Sequence, residues 1–244
     1  MSKQTTTQNS QKRETEQSQQ ITTHFQTLKE LPTPLKQSQC VLHKHELIIC
    51  GGYNQRACYS YHILKNEYKF ICEYPSHVKL IEHCVLKLLD SNSNNNKDKD
   101  NNQITLLSFG GAKGRKRYTL MMKYISVWSD DKNEMNKLNN CNQWIPFTDN
   151  NNHPIIIGEG QCHIYQGARA LIGGIKNNLL FITYHKNNIS VFNLNTFQFI
   201  KHDKLPINHI QFHCFVSKLK NEQVQEMMKT NQENKQNYEM LIIN

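Results

Sequence analysis

The sequence predicts an all-β protein of about three and a half four-stranded antiparallel units. Short runs of β-branched and aromatic residues alternate with turn residues along most of the chain, which is the signature of strands. One strand pattern recurs, as QCVLH at 39–43, HCVLKL at 83–88, GARALI at 167–172 and HCFVSK at 213–218. Two of the three steps between these copies are about 45 residues long, the period of a propeller blade, so we predict a small or partial β-propeller.

The first unit, at about 37–74, contains four predicted strands in a row. QCVLH is followed by ELIICGG, ACYSYHI and EYKFI, with turn residues between them. The second strand ends in the pair Gly51-Gly52, and adjacent glycines let the backbone turn sharply and pack where a Cβ atom would clash. Since a four-stranded unit cannot bury both of its faces alone, it predicts neighbours of the same kind.

The second unit, at about 79–147, repeats this order but is longer. ITLLSFGG at 104–111 matches ELIICGG and also ends in a double glycine. The step from this unit to the third is about twice the usual period. Two Asn-rich, charged stretches, 90–103 and 129–142, are predicted to be inserted loops that account for the excess.

The third unit, at about 155–202, has LLFITYH in the second-strand position but without glycines. Its pair Gly173-Gly174 precedes that strand and is therefore out of phase with the other two pairs. The fourth unit, 210–244, is incomplete. A polar stretch at 219–236 follows its first strand, and YEMLIIN begins a second one.

A second strand that ends in double glycine, an aromatic residue in the third strand and Trp or Phe in the fourth resemble the kelch repeat. The matching positions are Gly51, Gly52, Tyr61 and Phe70 in the first unit, Gly110, Gly111, Tyr124 and Trp144 in the second, and Phe192 and Phe199 in the third. The resemblance covers the chain from about Phe25 to its end. It implies blades packed around a central channel, with loops on one face that bind other proteins.

The sequence predicts a disordered tail at the start of the chain and an incomplete propeller unit at its end. Residues 1–23 have too few apolar side chains to offset the entropy of ordering, so we predict a disordered tail before a propeller region at 24–244. The tail lacks the apolar core of a secretory signal and the length of a membrane span. Because the fourth unit is incomplete, we expect a fragment of a longer propeller; the alternatives are closure by a second copy or by a strand at Phe25. An open array exposes a sheet edge, which favours self-association.

Composition argues against several kinds of ligand. The net charge is +9, but the basic residues cluster only at 113–117 (KGRKR), so nucleic-acid binding is not favoured. The eight cysteines contain no CxxC pair. Cys40, His43, His45 and Cys50 come nearest to a ligand set, but strand alternation places the first two on opposite faces, so we predict no metal and no cofactor. Reduced thiols without a secretory signal predict a cytoplasmic protein.

The sequence contains no clear match to a catalytic motif, so we predict that the protein is not an enzyme. GGAKGRKR at 110–117 lacks the GxxxxGK[ST] spacing of a phosphate loop, and no GxSxG elbow occurs. His83 and His213 begin equivalent strands, which predicts a structural role for both. The alternatives are a propeller enzyme acting on a carbohydrate, which needs convergent carboxylates that the predicted strands scarcely contain, and a truncated chain without function.

The loops after the second strands carry the candidate binding residues. They are Tyr53, Arg56, Lys113, Arg115, Lys116 and Arg117. Projected from one rim, these side chains would form a basic, partly aromatic surface suited to an acidic protein partner. We therefore predict a non-enzymatic protein-binding or scaffold module, with the alternative that the loops are polar only for solubility.

Overall fold

The computed structural model describes residues 28–89, 103–111, 117–128, 140–159, 164–207, 210, 213–217 and 240–243. The chain divides into Met1–Glu30 and Leu31–Asn244, and the strands that the structure describes lie in the second unit. The described residues form strands and turns without a helix, so the predicted all-β class is confirmed and none of them forms a membrane-spanning helix. The predicted tail, the strand at Phe25 and the polar stretch at 219–236 lie outside the described residues.

Three antiparallel sheets have four strands each, arranged in chain order from one edge to the other, and we call them blades 1, 2 and 3. Blade 1 contains β1 (Gln39–His43), β2 (Glu46–Gly52), β3 (Gln55–His62) and β4 (Glu67–Glu73). Blade 2 contains β5 (His83–Leu88), β6 (Gln103–Gly110), β7 (Tyr118–Ile125) and β8 (Ile145–Pro146). Blade 3 contains β9 (Arg169–Gly173), β10 (Leu179–Tyr184), β11 (Asn188–Asn193) and β12 (Gln198–Lys204). A two-stranded sheet follows, formed by β13 (Cys214–Ser217) and β14 (Met240–Ile243).

The first strands of successive sheets lie side by side. β1 contacts β5, β5 contacts β9, and β9 contacts β13. A propeller arranges the innermost strands of its blades around a common axis in this way. Three four-stranded blades followed by a two-stranded sheet therefore fit the predicted small or partial β-propeller.

Three strands have the bounds that the sequence predicts, other strands outside the fourth position differ from the prediction by one or two residues, and the fourth strands differ most. β1, β2 and β5 have the predicted bounds, because turn residues flank each of them. β8 is limited to Ile145–Pro146, since Pro146 has no N–H group with which to extend the ladder, and Trp144 lies just before it. The sequence predicts the fourth strand of blade 3 at 197–200, but the φ of 57° at Phe197 places that residue in the preceding turn, and the strand is Gln198–Lys204.

Two apolar cores fill the spaces between the blades. Between blades 1 and 2, the Tyr74 ring stacks on Trp144 with centroids 4.5 Å apart, beside Leu106 and Met122. The core between blades 2 and 3 includes Phe109, Tyr165, Leu180 and Ile182. Each large apolar side chain buried in this way stabilises the fold by about 1.5–3 kcal/mol, so the packing of one blade on the next holds the strands in place.

Gly51 and Gly52 lie where a side chain does not fit. Gly51 has a φ of +51°, and a Cβ atom there would lie 2.2 Å from Cδ1 of Leu80. At Gly52, a Cβ atom would lie 2.6 Å from the carbonyl oxygen of Lys36. The double glycine therefore allows the end of β2 to pack against the segments that enter and leave blade 1.

The other positions at which the sequence resembles the kelch repeat occupy several environments. Gly110 ends β6, and Gly111 follows it. The buried aromatic residues are Tyr61 in β3, Tyr124 in β7, Trp144 just before β8 and Phe192 in β11. Phe199 lies in β12, and Phe70 of β4 is 55% exposed. In blade 3, Gly173 ends β9 and Gly174 follows it. That pair therefore belongs to the turn before the second strand, out of phase with blades 1 and 2.

Candidate binding rim

The candidate site lies at the end of the blades where β2 leads into β3 and β6 leads into β7. Because neighbouring strands are antiparallel, the connections that precede β5 and β9 return to the same end. We call this end the β2–β3 rim and the opposite end the β1–β2 rim. The sequence predicts the candidate binding residues on the β2–β3 rim.

Tyr53 lies in the β2–β3 turn with 48% of its surface exposed. Its backbone N–H donates to the carbonyl of Lys36 at 2.6 Å, and the N–H of Asn54 donates to the carbonyl of Leu80 at 3.0 Å. Asn54 has a φ of 55°, a left-handed conformation that Asn adopts more readily than most residues. The turn is therefore held on both sides and presents the Tyr53 ring at a defined position.

Arg56 was predicted to be a loop residue, but it is the second residue of β3. Strand pairing resumes at Gln55, directly after the two-residue turn, so no room remains for a longer loop. The Nη2 atom of Arg56 lies 2.8 Å from Oε2 of Glu73, and Nη1 donates to the carbonyl of Tyr74 at 3.2 Å. Arg56 therefore ties β3 to the end of β4, and Glu73 offsets its charge.

Arg117 lies at the end of the β6–β7 connection. Its guanidinium is 5.6 Å from the centroid of the Tyr165 ring, which is a cation–π distance. Gly158, with a φ of +83°, leaves room for that ring, since a Cβ atom there would lie 2.3 Å from it. Lys113, Arg115 and Lys116 lie outside the described residues. Arg117 is thus the member of the predicted basic cluster that the structure places.

An open cleft of about 200 Å³ lies beside Arg117 at this rim. Its lining residues are His77, Val78, Arg117, Tyr118, Thr119, Leu120, Pro146, Pro154 and Ile156. Two of these described residues have basic side chains and none is Asp or Glu, while most of the others are apolar. Such a cleft can hold an apolar side chain next to a carboxylate.

Hydrogen bonds fix the walls of the cleft. Oγ1 of Thr119 accepts a hydrogen bond from the N–H of Ile157 at 2.9 Å. The Tyr118 hydroxyl donates to the carbonyl of Lys79 at 3.5 Å, and burial raises the pKa of this hydroxyl, so it stays a donor at neutral pH. Sequence reasoning missed His77 and Pro154, because the cleft joins connections that are far apart in the chain and no motif marks them.

Two buried histidines make equivalent contacts away from the cleft. Nε2 of His83 lies 3.1 Å from the carbonyl oxygen of Cys50, and Nε2 of His213 lies 2.6 Å from Oγ1 of Thr183. Each histidine thus contacts the second strand of the preceding blade. Burial lowers the pKa of both imidazoles to about 4, so both are neutral at physiological pH. Within the described ranges, no three His, Cys, Asp or Glu side chains form a group that could hold a metal ion.

A second cleft, of about 240 Å³, lies at the β1–β2 rim between blades 2 and 3. It is lined by Leu88, Leu89, Thr105, Phe147, Lys176, Asn177, Asn178, Leu194, Asn195 and Phe197. Lys176 is the one charged residue among these. Each cleft is therefore lined by a single Lys or Arg side chain, and the cleft at the β2–β3 rim has His77 in addition.

Among the comparisons with known proteins, the one with solved structures found similar chains. No protein-family model matches the chain, and no curated protein sequence matches it. The structure of YjhT is similar over 73% of this chain and 54% of that chain, with 13% identity and a TM-score of 0.43. The computationally designed Ika8 protein is similar over 80% of this chain and 43% of that chain, with 10% identity and a TM-score of 0.35. The chain thus spans about half the length of these structures or less.

Proposed function

We propose that this chain is a kelch-type, non-enzymatic binding module that takes an acidic segment of a partner protein at the β2–β3 rim. The observation that carries the proposal is the cleft with Arg117 and His77 beside apolar walls and no lining carboxylate. Tyr53 adds an exposed aromatic ring at the same rim. We also propose a cytoplasmic location, which the free thiols of the described cysteines favour.

Ion pairs and apolar contacts at this cleft would contribute different amounts of binding free energy. An exposed ion pair contributes about 0.2–1 kcal/mol, whereas burial of a Leu or Phe side chain contributes about 1.5–3 kcal/mol. We therefore expect an apolar side chain of the partner, seated in the cleft against Pro146, Pro154 and Ile156, to supply most of the affinity. Acidic residues on either side of it would set its orientation and speed its association through Arg117.

The environments of the buried acids support binding over catalysis. Glu46 accepts a hydrogen bond from Ser60 at 2.7 Å and another from Tyr124, and Glu82 accepts one from Gln37 at 3.2 Å. Neither carboxylate lines a cleft described above. A carbohydrate-processing enzyme would use two carboxylates that converge on one substrate bond.

The test uses fluorescence anisotropy with a short labelled peptide of glutamates around a central leucine. We expect saturable binding that weakens as salt is raised, because the exposed charges are then screened. Replacing the central leucine by serine should remove most of the affinity. Replacing the glutamates by lysines should abolish binding.

Variants of the chain locate the peptide. We expect Arg117→Gln to weaken binding about fivefold, which corresponds to the upper end of one exposed ion pair, and Arg115→Gln with Arg117→Gln to weaken it further. Lys176→Gln is the matched control, because it removes a cation from the cleft at the opposite rim. Equal affinity of the Arg117 variants and the parent chain, or a loss caused by Lys176→Gln alone, would overturn the proposed site.

A further inference from the structure

Three cysteines of blade 1 stand in one row across the sheet. Cys50 of β2 lies directly opposite Cys58 of β3, and Cys58 lies directly opposite Cys72 of β4. The Cys58 thiol donates to the carbonyl of Arg56 at 3.8 Å, and it is close enough to the other two thiols to raise the pKa of each. The row continues into blade 2, where Sδ of Met122 lies 3.7 Å from Sγ of Cys72. We call Cys50, Cys58 and Cys72 the thiol row.

Two register shifts bring the thiols together. Gly52 pairs with Gln55 next to the turn, and a regular ladder from there would place Ala57, not Cys58, opposite Cys50. A second irregularity between Cys58 and Tyr59 likewise places Cys72, not Ile71, opposite Cys58. Residues directly opposite each other in an antiparallel pair have Cα atoms about 4.5–5.5 Å apart, which is within the range that a disulfide bridges.

The members of the row differ in access and acidity. Cys50 and Cys58 are fully buried, whereas Cys72 is half-buried. Burial opposes ionisation of Cys58, but hydrogen bonds from Cys50, Cys72 and the Trp144 indole outweigh it and lower the pKa of this thiol. The Trp144 Nε1–H lies 3.4 Å from Sγ of Cys58. The interaction with Cys58, and then burial, raise the pKa of Cys72, so this thiol is protonated, and Cys58 is the more acidic thiol of the pair. Cys72 is the half-buried member of the row, so a reagent reaches it before Cys58, and the acidic Cys58 thiol can then attack the oxidised Cys72.

We propose that Cys72 and Cys58 form an oxidation site that a hydroperoxide converts into a reversible disulfide. The Cys72 sulfur attacks a peroxide oxygen, the O–O bond breaks, and the thiol proton ends on the departing alcohol or water. Cys58 then attacks the sulfenic sulfur of Cys72, the S–O bond breaks, and the hydroxide leaves with the Cys58 proton as water. The two sulfur atoms together lose two electrons, and the peroxide gains them.

Cys84 provides the matched control within the same chain. It is also fully buried in a strand, but it lies in the core between blades 2 and 3 with apolar neighbours. Burial raises its pKa to about 11. A thiol that is buried but outside the row should stay reduced under conditions that oxidise the row.

The experiment treats the native chain with hydrogen peroxide, blocks the remaining thiols under denaturing conditions, and maps the peptides by mass spectrometry. We expect a peptide pair linked through Cys58 and Cys72, its loss on treatment with dithiothreitol, and a fully blocked Cys84. Trp144 fluorescence should fall with the same time course, because the new disulfide replaces a thiol in contact with the indole. Cys72→Ser should remove both signals, and Cys84→Ser should leave both unchanged.

Three outcomes would overturn the proposal. The first is a native chain whose Cys58 and Cys72 are both blocked as free thiols after peroxide treatment. The second is a dominant link between Cys50 and Cys58, which would move the entry point of the oxidant. The third is Cys84 oxidised as fast as Cys72, which would show general oxidation of the unfolding chain. The mapping is done on the parent chain, so a variant that fails to fold does not affect it.

Discussion

The Tyr124 hydroxyl of blade 2 donates a hydrogen bond to the Glu46 carboxylate of blade 1. Ser60 donates to the same carboxylate oxygen at 2.7 Å, and the Trp128 indole N–H in turn lies 2.9 Å from the Ser60 oxygen. Burial, and then the hydrogen bond to Glu46, raise the pKa of Tyr124, so its hydroxyl remains a donor. This network of buried polar groups links the first two blades beside their apolar core.

We predict that Tyr124→Phe lowers the free energy of unfolding by about 1–3 kcal/mol, because the buried Glu46 then loses one of its donors. The measurement is urea denaturation followed by circular dichroism. Tyr68→Phe is the control, because its ring contacts Tyr61 at 4.8 Å and keeps that contact without the hydroxyl. A Tyr124 variant as stable as the Tyr68 variant would contradict the role of the network.

We predict that His83 makes stability fall as the pH is lowered from about 6.5 to 4. Burial lowers the folded pKa of His83 to about 4, against 6.5 for the unfolded chain. The unfolded chain therefore binds more protons in this interval, and the stabilisation present above pH 6.5 is lost as the pH falls, by up to about 3 kcal/mol.

The pH prediction is tested with His83→Gln, whose unfolding free energy should change less between pH 7 and pH 4 than that of the parent chain. The comparison concerns how much the free energy of unfolding changes with pH, so a variant that is less stable at every pH remains informative. His153→Gln is the control, since the side chain of His153 is mostly exposed. Parallel pH profiles of the parent and His83→Gln chains would show that His83 is not the titrating group.

We predict that Gly51→Ala destabilises the chain more than Gly111→Ala does. Both positions have positive φ, of +51° and +120°, so alanine is strained at either. A Cβ atom at Gly51 would also overlap Leu80, whereas at Gly111 its nearest neighbour lies at 3.8 Å. The overlap should add about 1–3 kcal/mol to the cost at Gly51, measured by thermal or urea unfolding. Equal losses would mean that the overlap at Gly51 costs no more than the larger backbone strain at Gly111, whose φ lies outside the left-handed helical region.

We predict that the chain associates with itself as its concentration rises. Among the described strands, β14 pairs with β13 alone, so one of its edges is open to a further strand. Light scattering coupled to size-exclusion chromatography should show a mass that increases with loading. Ile242→Pro should lower that mass, because proline removes an N–H group from the strand. A monomer mass at every loading would contradict the prediction.

The strands could be read from the sequence because their signals are local. ELIICGG is bounded by Lys44-His45 on one side and Tyr53-Asn54 on the other, and both of these turns form where the residues indicate. The same reasoning failed at β8, which has only two residues and ends at a proline. Local patterns thus located the sheets but not the lengths of their outer strands.

The candidate site and the thiol row depend on information that the sequence does not carry locally. The cleft beside Arg117 combines the start of β7 and the end of β8 with the two connections that enter and leave blade 2, which are far apart in the chain. The opposition of Cys50, Cys58 and Cys72 depends on two register shifts, and counting outward from the turns would have mispaired every one of these cysteines. The Arg56–Glu73 ion pair was missed for a similar reason, since Arg56 was assigned to a loop.

The backbone hydrogen bonds of the β2–β3 turn have a practical consequence for labelling and fusion. The backbone N–H of Tyr53 is hydrogen-bonded to Lys36, which precedes blade 1, and that of Asn54 to Leu80, which follows blade 1. The turn therefore holds together the segments that enter and leave the blade. A tag or protease site inserted there would release both segments at once. The β3–β4 turn at the opposite rim, where Leu64 is 72% exposed, is the better attachment point for a reporter that must leave the fold intact.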